Sequence, residues 1–417
     1  MPLFSIPLSG LTGSSDALNI ISNNLANLNT VGFKDQQANF QDLFYQTLGT
    51  TGAGDPIQQG AGTEVGSVNS NFTNGNLQST GIPTDVAITG NGFFVTQGAN
   101  GANEFTRAGN FTVNAQGDLV STNGQNVMGY AAVNGVVNTG QGLTPIQLGQ
   151  GQISAPSATT TMDQTTNLDA SANVGDTYST PLTVYDSLGN SHVLTFNYTK
   201  TGTNAWSYQI TLPAADTGAV GAPTVVSSGN LTFNSSGNLT APVGSVSGIN
   251  IAGLADGAAT MKLTWNLNTA SGGATMTQVA SQSSTSATDQ NGYASGTLQS
   301  YTINSDGTIS GAFSNGQVQT IGQIALANFA NYQGLQLDGG NSYTPTLASG
   351  QPVIGTAGTG GRGTMTGGAL ELSNVDISTE FTNLIVVQRG FEANARVVTT
   401  FDSVSSDTIN LQEQPGN

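Results

Sequence analysis

Asn374-Val-Asp-Ile-Ser-Thr-Glu-Phe-Thr-Asn-Leu-Ile-Val-Val-Gln-Arg-Gly-Phe-Glu-Ala-Asn-Ala-Arg396, continuing in the same pattern to Leu411, is the stretch from which the rest of the chain can be read. Apolar residues fall at Ile377, Leu384, Val387, Phe391, Ala395, Val398, Phe401 and Ile409, mostly three or four positions apart. That spacing draws one apolar line down an amphipathic helix of roughly 50 Å, at about 1.5 Å per residue. Asp376 is placed to cap its start, and Glu380 lies in the first turn, where the helix dipole favours negative charge. Arg389, Glu392, Arg396, Ser403 and Asn410 fall on the opposite face, with Glu392 and Arg396 an i,i+4 pair. A single apolar line of this length needs a partner.

The comparable line lies at the other end of the chain. Phe4, Leu8, Leu11, Leu18, Ile21, Leu25 and Leu28 are spaced 4, 3, 7, 3, 4 and 3 apart, a near-heptad series of the kind that supercoils with other helices. Pro7, Gly10 and Gly13 interrupt it, and each glycine costs a helix interior about 1 kcal/mol relative to alanine. Such a helix is marginal alone. The alternative is an ordinary N-terminal helix packed on a globular core.

Composition narrows the function. The chain has 417 residues, of which 7% are charged, with seven Lys and Arg and a net charge of −17. That excludes the basic footprint of a nucleic-acid binder and disfavours anionic membranes. There is no cysteine, so neither disulfides nor thiolate metal sites arise. Residues 1–30 lack the charged start and continuous apolar core of a cleaved signal peptide, and no apolar run approaches a membrane span. With 56 glycines and abundant Asn, Ser and Thr, the middle of the chain favours turns and half-buried strands.

Three stretches, 111–119, 231–239 and 301–309, share one plan of strand, Asn-started turn, Gly and returning strand, and predict hairpins. Residues 154–161 and 281–288 have linker composition and bracket alternating strands, which predicts a domain inserted into another domain and built as a sandwich or barrel. The polar stretch 35–74 and the glycine-rich 355–368 read as two strands of one connector. Gly358-Thr-Gly-Gly-Arg-Gly363 fits a dinucleotide-loop pattern, but no helix opens after it, so a hinge is expected.

Chemistry is sparse. His192 is the only histidine and sits in a turn, where an exposed or hydrogen-bonded loop residue is expected rather than a catalytic one. Asp16, Asp85, Asp186, Asp306 and Asp338 stand singly; two converging in space, as in a glycosidase, would be the enzymatic alternative. A secreted β-rich adhesin binding glycans is a second alternative, but Trp206 and Trp265 lie in strand patterns and read as core. No catalytic, cofactor-binding or metal-binding residue is expected.

The N-terminal line runs into Asn23, Asn24, Ala26, Asn27, Thr30, Gly32, Phe33 and Lys34. This segment resembles the N-terminal signature of the bacterial flagellar rod and hook axial proteins. Glu371-Leu-Ser-Asn-Val-Asp-Ile377, Gln388-Arg389 and Ala393-Asn394-Ala395 resemble the same family's closing helix, and Gly92-Phe-Phe, Thr106-Arg107 and 325–335 resemble its middle segments. Tyr185-Asp-Ser-Leu-Gly-Asn-Ser-His192 is similar to a segment of the hook-type members, which disfavours a distal rod protein. The resemblance implies a mainly β fold with a long terminal helical pair and nested, discontinuous domains. The expected parts are terminal helices from 1–32 and 375–417 forming an inner coiled-coil tube, a connector from 33–75 and 355–374, a first β domain from 76–150 and 289–354, and an inserted outer β domain at 151–288. It further implies a non-enzymatic subunit of a hollow, curved, flexible helical homopolymer that transmits motor torque from rod to filament. The implied partners are further copies, rod proteins at one end, junction proteins and a cap at the other, and the flagellar export apparatus, with no nucleic acid and no membrane insertion. The site is extracellular, reached without a cleaved signal peptide.

Overall fold

The computed structural model describes residues 5–149, 151–268 and 273–412. The chain forms two compact units, one from residues 1–150, 300–311 and 319–417 and the other from residues 151–299 and 312–318.

In the first unit the helices α1, Ser5–Ala26, and α2, Ile377–Gln412, pack against one another. Asp376 does cap α2, its Oδ1 accepting from the Thr379 amide at 2.8 Å. A Cβ built on Gly10 would lie 2.7 Å from Nδ2 of Asn394, and one on Gly390 would lie 3.8 Å from Oγ of Ser14. Residue numbers that face each other therefore fall on one helix as they rise on the other, so the pair is antiparallel. Gly10 and Gly13 now have a positive role. Small residues let α1 approach α2 on one side and the ring of Phe40 on the other, 3.1 Å from a Cβ on Gly13.

Phe40 belongs to a hairpin, Gln36–Asp42 with Thr63–Ser70, in register from Gln36↔Ser70 to Asp42↔Thr63 with a bulge at Asn39/Phe40. This corrects the expected pairing of 35–74 with 355–368. Each of those stretches finds other partners, Thr364–Gly367 lying against Val86–Thr89 and Ala369–Glu371 against Leu77–Ser79. The hairpin is joined to α1 by side chains: Asn24 donates to the Gln36 carbonyl at 2.8 Å and accepts from its amide at 3.0 Å. α1 stops at Ala26, and Leu28 stands in the turn beyond it.

The strand Phe93–Gln97 runs through the middle of this unit's β structure, bonded to Asn103–Thr106, Asn126–Val133 and Leu326–Asn328. Both its faces are covered. Phe94 joins Ile88, Phe111, Ile309 and Leu326 in one cluster, while Phe93 and Val95 join Phe105, Phe329 and Tyr343 in the other. That is why its residues read as a continuous apolar run rather than an alternating one.

The second unit is a sandwich of two five-stranded sheets around one apolar core. Strand Ser191–Gly202 alternates buried and accessible positions along most of its length, as a strand with one covered face must. Trp206 and Trp265 are core residues, 1% and 0% exposed, and Trp265 meets the rings of Phe196 and Tyr208 edge-on at 5.1 and 5.2 Å. The three repeated hairpins all form. In each, an Asn amide bonds to the carbonyl four residues on, and Gly117, Gly237 and Gly307 take the positive φ that closes the turn.

Candidate functional site

Three signature segments meet in one buried ion cluster. Lys34 Nζ lies 2.7 Å from Glu371 Oε1, and Arg107 Nη1 lies 3.3 Å from Glu371 Oε2, with all three side chains at most 1% exposed. Lys34 also donates to the Thr73 carbonyl at 2.7 Å, Arg107 to that of Gly90 at 2.8 Å, and the Gly75 amide to Glu371 Oε1 at 3.0 Å. Burial pushes the pKa of Lys34 and Arg107 down, and the Glu371 carboxylate opposes that shift in both. Arg107 additionally stands 5.4 Å from the centre of the Phe93 ring.

Backbone contacts close around this cluster. The Gly32 amide bonds to the Glu371 carbonyl at 2.8 Å, and the Asp35 amide bonds to Asn374 Oδ1 at 2.8 Å. Gly32 has φ +68, and a Cβ there would sit 2.6 Å from the Arg107 carbonyl carbon, so both conformation and space demand glycine. Residues far apart in sequence are thus tied where α1 ends and α2 begins. The cluster is sealed from solvent and its charges are spent on one another, so it acts as a clasp.

The predicted helix residues divide. On α2, Leu384, Val387, Phe391, Ala395, Val398 and Phe401 are all half-buried along one line, while Ile377 and Ile409 are exposed. On α1 the buried line is Pro7, Gly13, Ala17, Ile21 and Asn24. Only Ile21 of the heptad series lies in it; Leu11, Leu18 and Leu25 are half-buried, Leu8 is exposed, and Phe4 lies outside the described residues. Sequence reasoning also missed exposed apolar residues on two further faces of α2, one carrying Phe381 and Ile385 and the other a line of Val386, Val397 and Val404. Phe381, Ile385, Val386, Val397 and Val404 are 43–64% exposed. The spacing from Val386 through Ala393 and Val397 to Val404 carried that signal.

Among the signature residues, Asn24, Gly32, Phe33 and Lys34 are buried. Asn23, Asn27 and Thr30 build the turn after α1, Asn27 donating to the Asn23 carbonyl at 2.9 Å and accepting from Thr30 Oγ1 at 3.0 Å. Ala26 is exposed.

His192, in the second unit, is neither exposed nor isolated. It is 6% exposed, with Nδ1 3.0 Å from Asp216 Oδ2 and Nε2 3.0 Å from Asp186 Oδ2 and 3.7 Å from Asp256 Oδ2. The expectation that Asp186 stands singly is therefore corrected. Burial alone would lower the His192 pKa, but the hydrogen bonds to Asp186 and Asp216 outweigh it and raise it. Burial likewise opposes ionisation of Asp186, yet hydrogen bonds from Asp256, His192 and the Asn190 and Leu188 amides bring it down to about 2. Asp186, His192 and Asp256 are the one grouping among the described residues whose ligand atoms converge enough to hold a metal ion. An imidazolium donating from both ring nitrogens already satisfies the arrangement.

Four family models match in order along the chain: the flagellar basal body rod protein at 6–34, the flagellar hook protein FlgE/F/G D1 domain at 87–167, the flagellar basal body protein FlaE D2 domain at 156–293, and the flagellar basal body rod FlgEFG protein C-terminal region at 366–411. The flagellar hook protein FlgE of Escherichia coli is 38% identical over 98% of this chain and 100% of its own length. The chain belongs to the flagellar hook protein FlgE family. The Salmonella typhimurium and Treponema pallidum hook proteins are each 36% identical, over 98% and 97% of the chain and 100% and 98% of their own lengths. As a family member the chain is a structural, non-enzymatic subunit of the hook, in the extracellular part of the flagellum, and self-assembly follows from that role.

Proposed function

We propose that copies of this hook protein assemble through their terminal helices into a hollow, curved tube that bends while passing torque from rod to filament. Residues 1–32 and 375–417 form its inner layer, 76–150 with 289–354 a first β domain, and 151–288 an outer domain nested within it. Residues 33–75 and 355–374 connect helices to wall. The observation that carries this reading is the exposed apolar line Val386, Val397 and Val404 on α2, with Phe381 and Ile385 exposed on a neighbouring face. One line of that helix packs toward α1, while Phe381, Ile385, Val386, Val397 and Val404 face no partner of their own chain sufficient to bury them. Burying each such side chain between copies is worth up to about 1.5–3 kcal/mol, which together favours association of the helices. Rod proteins at the proximal end, junction proteins and a cap at the distal end, and the flagellar export apparatus are the further partners.

Electron microscopy of concentrated protein tests it. The unaltered chain should form tubes, and Val397→Asp should abolish them without changing the melting of the sandwich. Tubes of normal yield from Val397→Asp would overturn the role assigned to that line.

A further inference from the structure

A groove of about 380 Å³ opens among the first turns of α2, the second half of α1 and the Gln36–Asp42 strand. Its walls include Ala17, Ile21, Val386 and Val387, yet two carboxylates, Asp35 and Glu380, stand in it. Glu380 is 7% exposed and its Oε2 has no hydrogen-bond partner; Oδ1 of Asp35 is likewise buried without one. Burial raises the pKa of both, and the nearby Asp35 adds to the shift of Glu380. Lys34 and two asparagines beside Asp35, and Asn24 beside Glu380, oppose these shifts without cancelling them, so the site favours a further cation.

Of the seven basic residues, Lys262 stands exposed on the sandwich strand Met261–Asn266 and not on a terminal helix. Lys34 and Arg107 are held by Glu371, Lys200 donates to the carbonyls of Asp169 and Ala170, and Arg362 to those of Val353 and Thr356. On α2, Arg389 and Arg396 are exposed and form no ion pair among the described residues. Glu380 and Arg389 of one helix are about 13.5 Å apart along its axis, so a chain's own Arg389 does not enter its own groove. Glu392 precedes Arg396 by four, the favourable order for a helical pair, which leaves Arg389 the less compensated cation.

We propose that the groove receives the Arg389 guanidinium of a second copy, which pairs with Glu380 and Asp35. The proposal rests on the helix-to-helix assembly described above. A planar, weakly hydrated guanidinium suits two carboxylates between apolar walls better than an ammonium does. Groove and arginine are different patches of the same surface, so the contact is head-to-tail, the kind of contact from which a helical polymer can be built.

The test is the critical concentration for polymerisation, by sedimentation and electron microscopy, of the full chain and of E380Q, R389Q, E380Q/R389Q and R396Q. Folding of each is checked by circular dichroism. E380Q and R389Q should each raise it at least about tenfold, as loss of one partner of a desolvated charge pair does. The double variant should be no worse than either single one, because both remove the same interaction, and R396Q should stay near the unaltered chain. R389Q polymerising normally, or additive effects in the double variant, would overturn the contact alone. An unaltered chain that forms no polymer at all would overturn the assembly reading instead.

Discussion

Glu371→Gln tests whether charge compensation holds the chain ends together. Glu371 is fully buried and, among the described residues, is the only acid contacting both Lys34 and Arg107, through Oε1 at 2.7 Å and Oε2 at 3.3 Å. Gln keeps the shape and most of the acceptor geometry at Oε1 but removes the charge. Breaking a buried ion pair by removing one partner costs about 3–5 kcal/mol, because the other charge stays behind uncompensated. Here two cations are left, although Lys34, whose pKa burial already lowers, can escape part of the cost by losing its proton. A loss of about 3–5 kcal/mol is a large share of the roughly 5–15 kcal/mol typical of a whole domain. The assay separates the units cleanly, since both tryptophans lie in the sandwich. Tryptophan fluorescence should report an unchanged denaturant midpoint, while hydrogen exchange at the Gly32 and Gly75 amides reports early unfolding of the first unit. If the first unit loses less than about 1 kcal/mol, the range expected of a surface pair, the clasp is not what fastens the two ends.

Four further outcomes are expected. Gly32→Ala should cost the first unit about 1–3 kcal/mol in denaturant melts, since its φ of +68 and the Arg107 carbonyl 2.6 Å from the new Cβ both oppose a side chain. Asp376→Ala should lose about 0.5–2 kcal/mol and speed exchange of the Thr379 amide, the donor that Asp376 now caps. For the sandwich, the raised His192 pKa contributes stability that is full below about pH 6.5 and lost as pH rises through the folded value. Asp186, lowered from 3.8 to about 2, contributes stability that is full above 3.8 and lost as pH falls toward 2. Tryptophan-detected melting should therefore decline on both sides of that window, and His192→Gln should remove the decline on the alkaline side; an unchanged alkaline slope would refute this. Deleting 163–280 should leave a first unit that still resists proteolysis, as expected of a host domain that keeps its own core.

What the sequence disclosed follows from range. Asp376, Ile377 and the line from Leu384 to Phe401 lie within one helix, so local spacing was enough to place them. The Asn-x-x-Gly hairpins are set by backbone preference over a few residues, and all three formed. Trp206 and Trp265 could be assigned to a core because alternation along a strand is also local. The clasp was hidden because Lys34 and Arg107 stand 337 and 264 positions from Glu371. His192 looked solitary because Asp216, 24 positions on, and Asp256 reach it only through the fold. α1 misled for another reason. Its buried face uses Gly13 and Ala17, which make contact by being small, whereas a search for large apolar residues selected Leu11, Leu18 and Leu25.

The placement of charge bears on how such a chain can polymerise at all. Twenty-four acids face seven Lys and Arg, and four of those bases are bound inside their own chain, by Glu371 or by backbone carbonyls. The chain therefore carries a strong net negative charge, so copies repel when they approach at random. Association must then come from a place where apolar area is large and charge is sparse. α2 offers that apolar area, exposing seven large apolar side chains along its length, and its two arginines offset part of the charge of its own acids. Salt screens exposed charges over about 8–10 Å but leaves apolar burial intact, so the balance tips toward assembly as ionic strength rises. The acidic β units are then best kept apart, and the helices drawn together.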